Sequence, residues 1–186
     1  MLIIGTCTGA GLATARRAKG EGAQLILTDR RAGPLEDLAD EIGVEATAAF
    51  DESDVDQLRA FLDGLPGHVD HVLFSEIDLA RAYGALDQFL LPICIARYAQ
   101  QEMRDCGSLM FIARSPARRP GDGQMLAAVA AVALPAIVAN LAVEAAPVRV
   151  NLITCTPADD QLGHVAARAV QLMVDPAVTG AILDLS

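Results

Sequence analysis

The sequence predicts an α/β protein built on a parallel sheet with helices on both faces, and three observations predict it. Short apolar runs alternate with helix-length stretches from one end of the chain to the other. Two of the runs, Met1–Ile4 and Leu25–Leu27, are continuous in apolar residues, as strands buried on both faces are. No repeat, linker or low-complexity stretch interrupts the alternation. At 186 residues the chain is long enough for a substantial core and reads as one domain, 1–186, with no separate substrate domain.

The first apolar run stops at Gly5, and Leu12 to Lys19 reads as a helix ended by Gly20 and Gly22. A second strand runs from Leu25 to Asp29. Gly33-Pro34 predicts a break before a short helix from Leu35 to Ile42. Val44 to Phe50 is the third strand, ending in Asp51. Val55 to Leu65 carries apolar residues at Val55, Leu58, Phe61 and Leu62, which is helical spacing, and Pro66-Gly67 ends it. His71 to Phe74 is strand four. A long helix from about Tyr83 to Arg104 follows, with Gly107 as its stop. Ser108 to Ala113 is strand five, and Pro116 to Gly123 a polar loop. Gln124 to Val143 has no charged residue before Glu144, a length that would permit a membrane span. Its Ala and Val content, its Pro135 and its place between strands predict a helix buried on most sides instead, in the core or against another subunit. Val148 to Thr154 is strand six, Val165 to Val174 a helix and Gly180 to Leu185 the last strand.

Chemistry gathers in the first thirty residues. Gly5, Gly9 and Gly11 stand in the pattern G-x3-G-x-G between a strand and a helix, and the second strand ends in Asp29. Strand, glycine turn, helix, strand and acid is the layout of a dinucleotide-binding βαβ unit. Glycines let the backbone turn sharply and approach a pyrophosphate, and the helix start offers free N–H groups and a positive dipole end. Asp29 would accept hydrogen bonds from the adenosine ribose hydroxyls and repel a 2′-phosphate. That predicts NAD over NADP, a preference softened by Arg30 and Arg31. A glycine-rich turn that binds nothing is the competing reading.

Composition sets bounds. A formal charge of −10 and a pI near 4.6 argue against nucleic acid and against an anionic membrane surface as partners. A chain that starts in its first strand leaves no room for a signal peptide. Cys7, Cys94, Cys106 and Cys155 show no metal-ligand spacing, which predicts reduced thiols in a cytoplasmic protein.

The glycine loop resembles the TGxxxGxG loop of short-chain dehydrogenases/reductases, with Ile4 where that family has Thr. The likeness continues along nearly the whole chain. Phe50-Asp51 is similar to the family's adenine-contacting acid after strand three, and Leu90-Leu91-Pro92 through Met103 to its fourth long helix. Gly107 to Ile112 is similar to its fifth strand. Leu141-Ala-Val-Glu144 with Val148-Arg-Val-Asn151 is similar to the passage into its sixth, and Asp175-Pro-Ala-Val-Thr-Gly180 to its C-terminal signature. The resemblance implies a Rossmann-like doubly wound sheet of about seven strands in the order 3-2-1-4-5-6-7. Its cofactor-binding residues would be Gly5, Gly9, Gly11, Asp29 and Asp51.

The family's chemistry uses a Ser, a Tyr and a Lys, with an Asn in support. Counting back from Leu141-Ala-Val-Glu144, the Tyr falls on Ala127, the Lys on Ala131, the Ser on Arg114 and the Asn on Gln88. Ser115 is one residue from the serine position. Lys19 is the only lysine, and the two tyrosines, Tyr83 and Tyr98, precede strand five. Alanine neither donates nor accepts a proton, so no catalytic residue is assigned and the family's acid/base route is closed. The family's NNAG after strand four reads Ser75-Glu76-Ile77-Asp78, and two acids there weigh against the phosphates of a bound dinucleotide. Only Cys155 to Gly163 stands where relatives carry a substrate-covering loop.

Other candidates are weaker. Arg114, Arg118 and Arg119 could form an anion site at the active-site mouth, although such arginines are more often solvated or paired. Cys7 could be a thiol activated by the helix start, but a small filler is the commoner role. His68, His71 and His164 lack ligand spacing, so no metal is assigned. Glu76 and Asp78 could be a carboxylate pair, or simply an exposed loop. Three functions follow. The leading expectation is a non-catalytic subunit in a homo-oligomer, or in a hetero-oligomer with a catalytically intact relative. The alternatives are an NAD-dependent oxidoreductase with an atypical site using Arg114, Ser115 or Glu76, and a sensor that binds NAD without turning it over.

Overall fold

The computed structural model describes residues 1–7, 9–78, 86–114, 125–156 and 161–185. The elements run β1 (Leu2–Ile4), α1 (Gly9–Gly20), β2 (Ile26–Asp29), α2 (Ala32–Ile42), β3 (Ala46–Ala49), α3 (Val55–Asp63), β4 (Val69–Asp78), α4 (Leu86–Ala99), β5 (Met103–Arg114), α5 (Met125–Glu144), β6 (Arg149–Cys155), α6 (Leu162–Val174) and β7 (Ile182–Asp184). Seven strands pair in the order β3-β2-β1-β4-β5-β6-β7, every neighbouring pair parallel. Strand order reverses between β1 and β4, which opens a crevice at the carboxyl ends where α1 begins. The expected doubly wound sheet is the sheet observed.

Alternation along the strands divides the core into two. Leu2, Ile4, Phe74 and Phe111 face one way and pack with Leu58 of α3, Ile95 of α4 and Val138 of α5. Ile3, Leu27, Leu73 and Met110 face the other way and pack with Ala15 of α1, Leu38 of α2 and Val165 and Met173 of α6. Both faces of the sheet are therefore covered, which is why its central strands need no polar side.

Four element boundaries differ from the sequence expectations, each for a local reason. Gly33 and Pro34 do not break the chain before α2 but form its first turn, where a proline's missing N–H has no intrahelical partner to lose. The expected strand from Val44 to Phe50 shrinks to Ala46–Ala49, an edge strand of small, mostly exposed residues. The long helix stops at Ala99, turns through a 3-10 segment at Gln100–Glu102, and Met103 already pairs with Val69. Gly107 therefore does not end a helix. It lies inside β5, where an added Cβ would sit 2.7 Å from the Asp70 carbonyl oxygen, so it permits close approach of β5 to β4. Lastly, β4 does not end at Phe74. A register shift between Phe74 and Ile77 carries it on to Asp78, so Glu76 and Asp78 lie on a strand and not in an exposed loop.

Among the described residues, no helix is long and apolar enough to cross a membrane. α5 is a helix across Pro135, as expected, but within the chain it is buried on one side only, through Leu134, Val138 and Leu141, and not on most sides.

Candidate functional site

β1 delivers Gly5 to the crevice in the left-handed region, φ 79°, where a side chain would be strained. The N–H groups of Gly5 and Thr6 both donate to the Thr28 carbonyl at 3.1 Å, which bolts the start of the loop to β2. The buried Thr6 hydroxyl lies 2.9 Å from the same carbonyl and 3.1 Å from that of Ile3. Gly9 opens α1 at φ 55°, and a Cβ there would meet nothing within 4 Å. Gly11 is the reverse case. Its Cβ would fall 2.2 Å from the Gly5 carbonyl oxygen and 2.4 Å from Ser75 Oγ. The Ser75 hydroxyl in turn donates to the Gly5 carbonyl, so α1, β1 and β4 meet at a point that admits no side chain. Gly9 thus faces open space and Gly11 is a wedge between elements. No acidic residue occupies the first turn of α1 itself.

Asp29 stands at the tip of β2 and is only 3% exposed. One carboxylate oxygen accepts from the Cys7 N–H at 2.8 Å; the other accepts from the Arg31 N–H at 3.1 Å and Arg31 Nε at 3.2 Å. Burial pushes its carboxyl upward, but the hydrogen bonds from Cys7 and Arg31 together outweigh it and hold the group below the ordinary carboxylate value. In this structure Asp29 fastens the glycine loop to the second strand.

Asp51 lies on the exposed turn beyond β3, and one of its oxygens accepts from the Ser53 N–H at 3.0 Å and hydroxyl at 2.6 Å. Those bonds, the hydroxyl's foremost, lower its carboxyl, and Arg30 contributes in the same direction. Gly5, Gly9, Gly11 and Asp29 are thus brought together, with Asp51 on the turn beyond the next strand outward. Sequence reasoning missed Thr6 and Ser75, whose hydroxyls fix the loop; a small polar residue just past a strand's carboxyl end is too common a signal to have found them.

The other candidates are scattered. Ala131 on α5 is half-buried and packs against the core, and Ala127 lies one turn before it. Arg114 ends β5, exposed, in register with Asp78 on one side and Cys155 on the other. Cys155 is buried, and burial raises its thiol against a lowering by Arg114. Cys7 is half-buried and packs against the second core cluster. Lys19 sits in the last turn of α1, far along the helix from the glycine loop. His71 is half-buried at the start of β4, while His68 and His164 are exposed. Among the described residues no group of three or more His, Cys, Asp or Glu is placed to hold a metal. Ser115, Arg118, Arg119 and Tyr83 lie outside the described residues.

A parallel sheet with a glycine turn and an acid at its switch point defines the class: a Rossmann-type fold with the geometry of a dinucleotide cradle. No family model matches the chain. A short-chain dehydrogenase/reductase, ATR9 of Stachybotrys chlorohalonatus, is 27% identical over 183 residues, covering 84% of this chain and 72% of that protein. Among solved structures, BdcA of E. coli in complex with NADPH superposes with a TM-score of 0.83 at 21% identity, over 98% of this chain and 91% of that one. An enoyl-(acyl-carrier-protein) reductase of Anaplasma phagocytophilum in complex with NAD gives a TM-score of 0.82 at 23% identity, over 98% of this chain and 88% of that one. The chain is thus similar in sequence to a short-chain dehydrogenase/reductase, and it shares the fold of these reductases.

Proposed function

We propose that the chain is a dinucleotide-binding member of its family that does not run the family's acid/base chemistry and serves as a structural or regulatory subunit of an oligomer. One observation carries the reading. The tyrosine and lysine positions fall on Ala127 and Ala131, and the chain's single lysine is on α1. Without a proton donor at that place a carbonyl or alcohol oxygen has nothing to exchange its proton with.

The glycine loop fits a dinucleotide: open space at Gly9 leaves room for a pyrophosphate, and the N-terminus of α1, with no acid in its first turn, would hold it. Asp29 would meet the adenosine ribose and favour NAD over NADP, although Arg31 already engages the carboxylate and could turn toward a 2′-phosphate. Bound NAD would supply hydride chemistry, whereas this chain's own part is to hold and orient it. The four cysteines, without metal-ligand spacing, suit a reducing, cytoplasmic setting.

Exposed apolar residues on α5 support the oligomer. Val129, Val132 and Val143 are 52%, 79% and 78% exposed, and with Ala136 and Ala139 they recur every three or four residues along one stripe without charge. The stripe's occupant is a second copy or a catalytically intact relative. Calorimetric titration of NAD and NADP, on protein whose mass is fixed by light scattering and with carbonyl turnover assayed alongside, tests the reading. Binding of NAD by an oligomer without turnover is the expected outcome. Steady turnover abolished by Gly9→Asp would overturn the non-catalytic reading and install the atypical oxidoreductase. NAD binding by a stable monomer would leave the sensor, which the intact loop geometry favours as second reading.

A further inference from the structure

At the amino ends of the strands, opposite the glycine loop, the chain encloses a groove of about 760 Å3 between the last turns of α1 and α6. His71 lines it, and from His71 a polar row runs across the sheet beneath α6. His71 of β4 is in register with Ser108 of β5, and Ser108 with Arg149 of β6, so the three side chains share the face that α6 covers. His71 Nδ1 lies 2.8 Å from the Oγ of Ser108, which is fully buried. Arg149, 8% exposed, donates to the carbonyls of Leu172 at 3.0 Å, Asp175 at 2.7 Å and Val178 at 3.2 Å, and to that of Met173. It thereby closes the negative end of α6 and fastens the turn beyond it. Asn151, two residues along β6, takes the Val178 carbonyl and the Ala181 N–H. Arg149 and Asn151 thus hold the turn beyond α6, and Arg149 shares its row across the sheet with the titratable His71.

We propose that the His71–Ser108 pair is a pH-sensitive latch: the neutral imidazole seals the groove floor, and its protonation loosens the Arg149-held segment from Leu172 to Ala181. Charged groups face His71 from every side of the groove. Asp70 is its neighbour on β4, and Arg104 at the start of β5 pairs with Asp70 at 3.5 Å; Arg149 lies outside the groove lining, further along the row on β6. The α-amino group of Met1, Glu21 at the end of α1, Glu45 before β3 and His68 before β4 complete the set. Burial is the main force keeping the ring neutral; Asp70 opposes it, and the Met1 amine and Arg149 add to it. The folded imidazole therefore titrates below its ordinary 6.5. Its contribution to stability is fully present above that value and is lost as pH falls through the lower, folded one. A second cation in Arg149's row then repels the guanidinium that holds the end of α6.

The test is hydrogen exchange of residues 172–181, with thermal melts, from about pH 8 to about pH 5, for the intact chain, His71→Gln and His68→Gln. Glutamine keeps a donor and an acceptor for Ser108 but does not titrate. Opening, after correction for intrinsic exchange, should rise several-fold in the wild type and in His68→Gln on acidification, and stay flat in His71→Gln. A His71→Gln protein that opens as the wild type does would refute the latch, as would opening spread evenly over the chain. If that variant fails to fold, imidazole titration by NMR in the wild type decides. The amides of 172–181 should shift with the His71 midpoint, and a separate midpoint would refute the proposal.

Discussion

At the scale of single residues, Gly9 and Gly11 look alike in the sequence and do opposite work. Gly11→Ala forces a methyl to within 2.2 Å of the Gly5 carbonyl, a backbone atom that cannot step aside. About 2–3 kcal/mol of stability should be lost, read by urea denaturation, and NAD binding with it. Gly9→Ala meets no neighbour and carries only the left-handed backbone penalty, about 1–2 kcal/mol. Equal costs at the two positions would contradict this division of labour. Asp29 permits a pH experiment. Its carboxyl is held below its ordinary 3.8, so its contribution is present above that value and fades as pH falls through the lower folded one. Asp29→Asn loses an acceptor from a site whose neighbours all donate, and should cost about 1–3 kcal/mol at neutral pH. The gap between variant and wild type should narrow below the carboxylate range, as followed by acid-unfolding melts. The sequence made Asp29 legible as an acid at a strand tip, because type and place suffice for that. That its oxygens turn inward to Cys7 and Arg31 depends on how two loops meet, which no local pattern encodes.

At the scale of elements, the strands in the middle of the sheet were easiest to read, since burial on both faces leaves an apolar run that little else produces. Boundaries failed where a residue had two meanings. Gly33-Pro34 ends one structure or begins another with equal ease, and Gly107 signals a helix stop as well as a tight crossing of strands. The extension of β4 through Ser75 to Asp78 was hidden because its polar residues lie beyond the apolar run, where a register shift and pairing to Ala113 and Arg114 hold the backbone extended. α5 was legible as a charge-free helix but not as to which side stays uncovered. The stripe through Val132 and Val143 answers that and gives a test. Val132→Glu places a charge on a residue already 79% exposed, so the fold should keep its stability within about 0.5 kcal/mol. Burying that charge in an α5 interface would be costly, so light scattering should report dissociation to protomers. An unchanged mass would remove α5 from the interface.

At the scale of the whole molecule, charge decides what kind of partner the stripe can meet. The parallel sheet covered on both faces was legible from periodicity, strand spacing and the glycine turn, which agree with one another, and its strand order from the resemblance to the short-chain dehydrogenases/reductases. Partnership was not, because it depends on a second surface the chain does not contain. Each copy carries a formal charge of −10, and the stripe carries none. Two copies brought together through it gain from apolar burial, which salt does not weaken, and lose from mutual repulsion, which salt screens. A homo-oligomer of this chain should therefore tighten several-fold between about 20 mM and about 300 mM NaCl, as the Debye length shrinks below the spacing of surface charges. A complex with a basic relative would behave in the opposite way, because there the long-range field attracts and salt removes the attraction. Sedimentation of the purified chain, and of the chain with each related dehydrogenase of its own source, measured across that salt range, separates the two arrangements by the sign of one slope. A positive slope in the pure protein makes the second copy the occupant of α5, whereas association seen only in the mixture and weakened by salt gives that place to the relative.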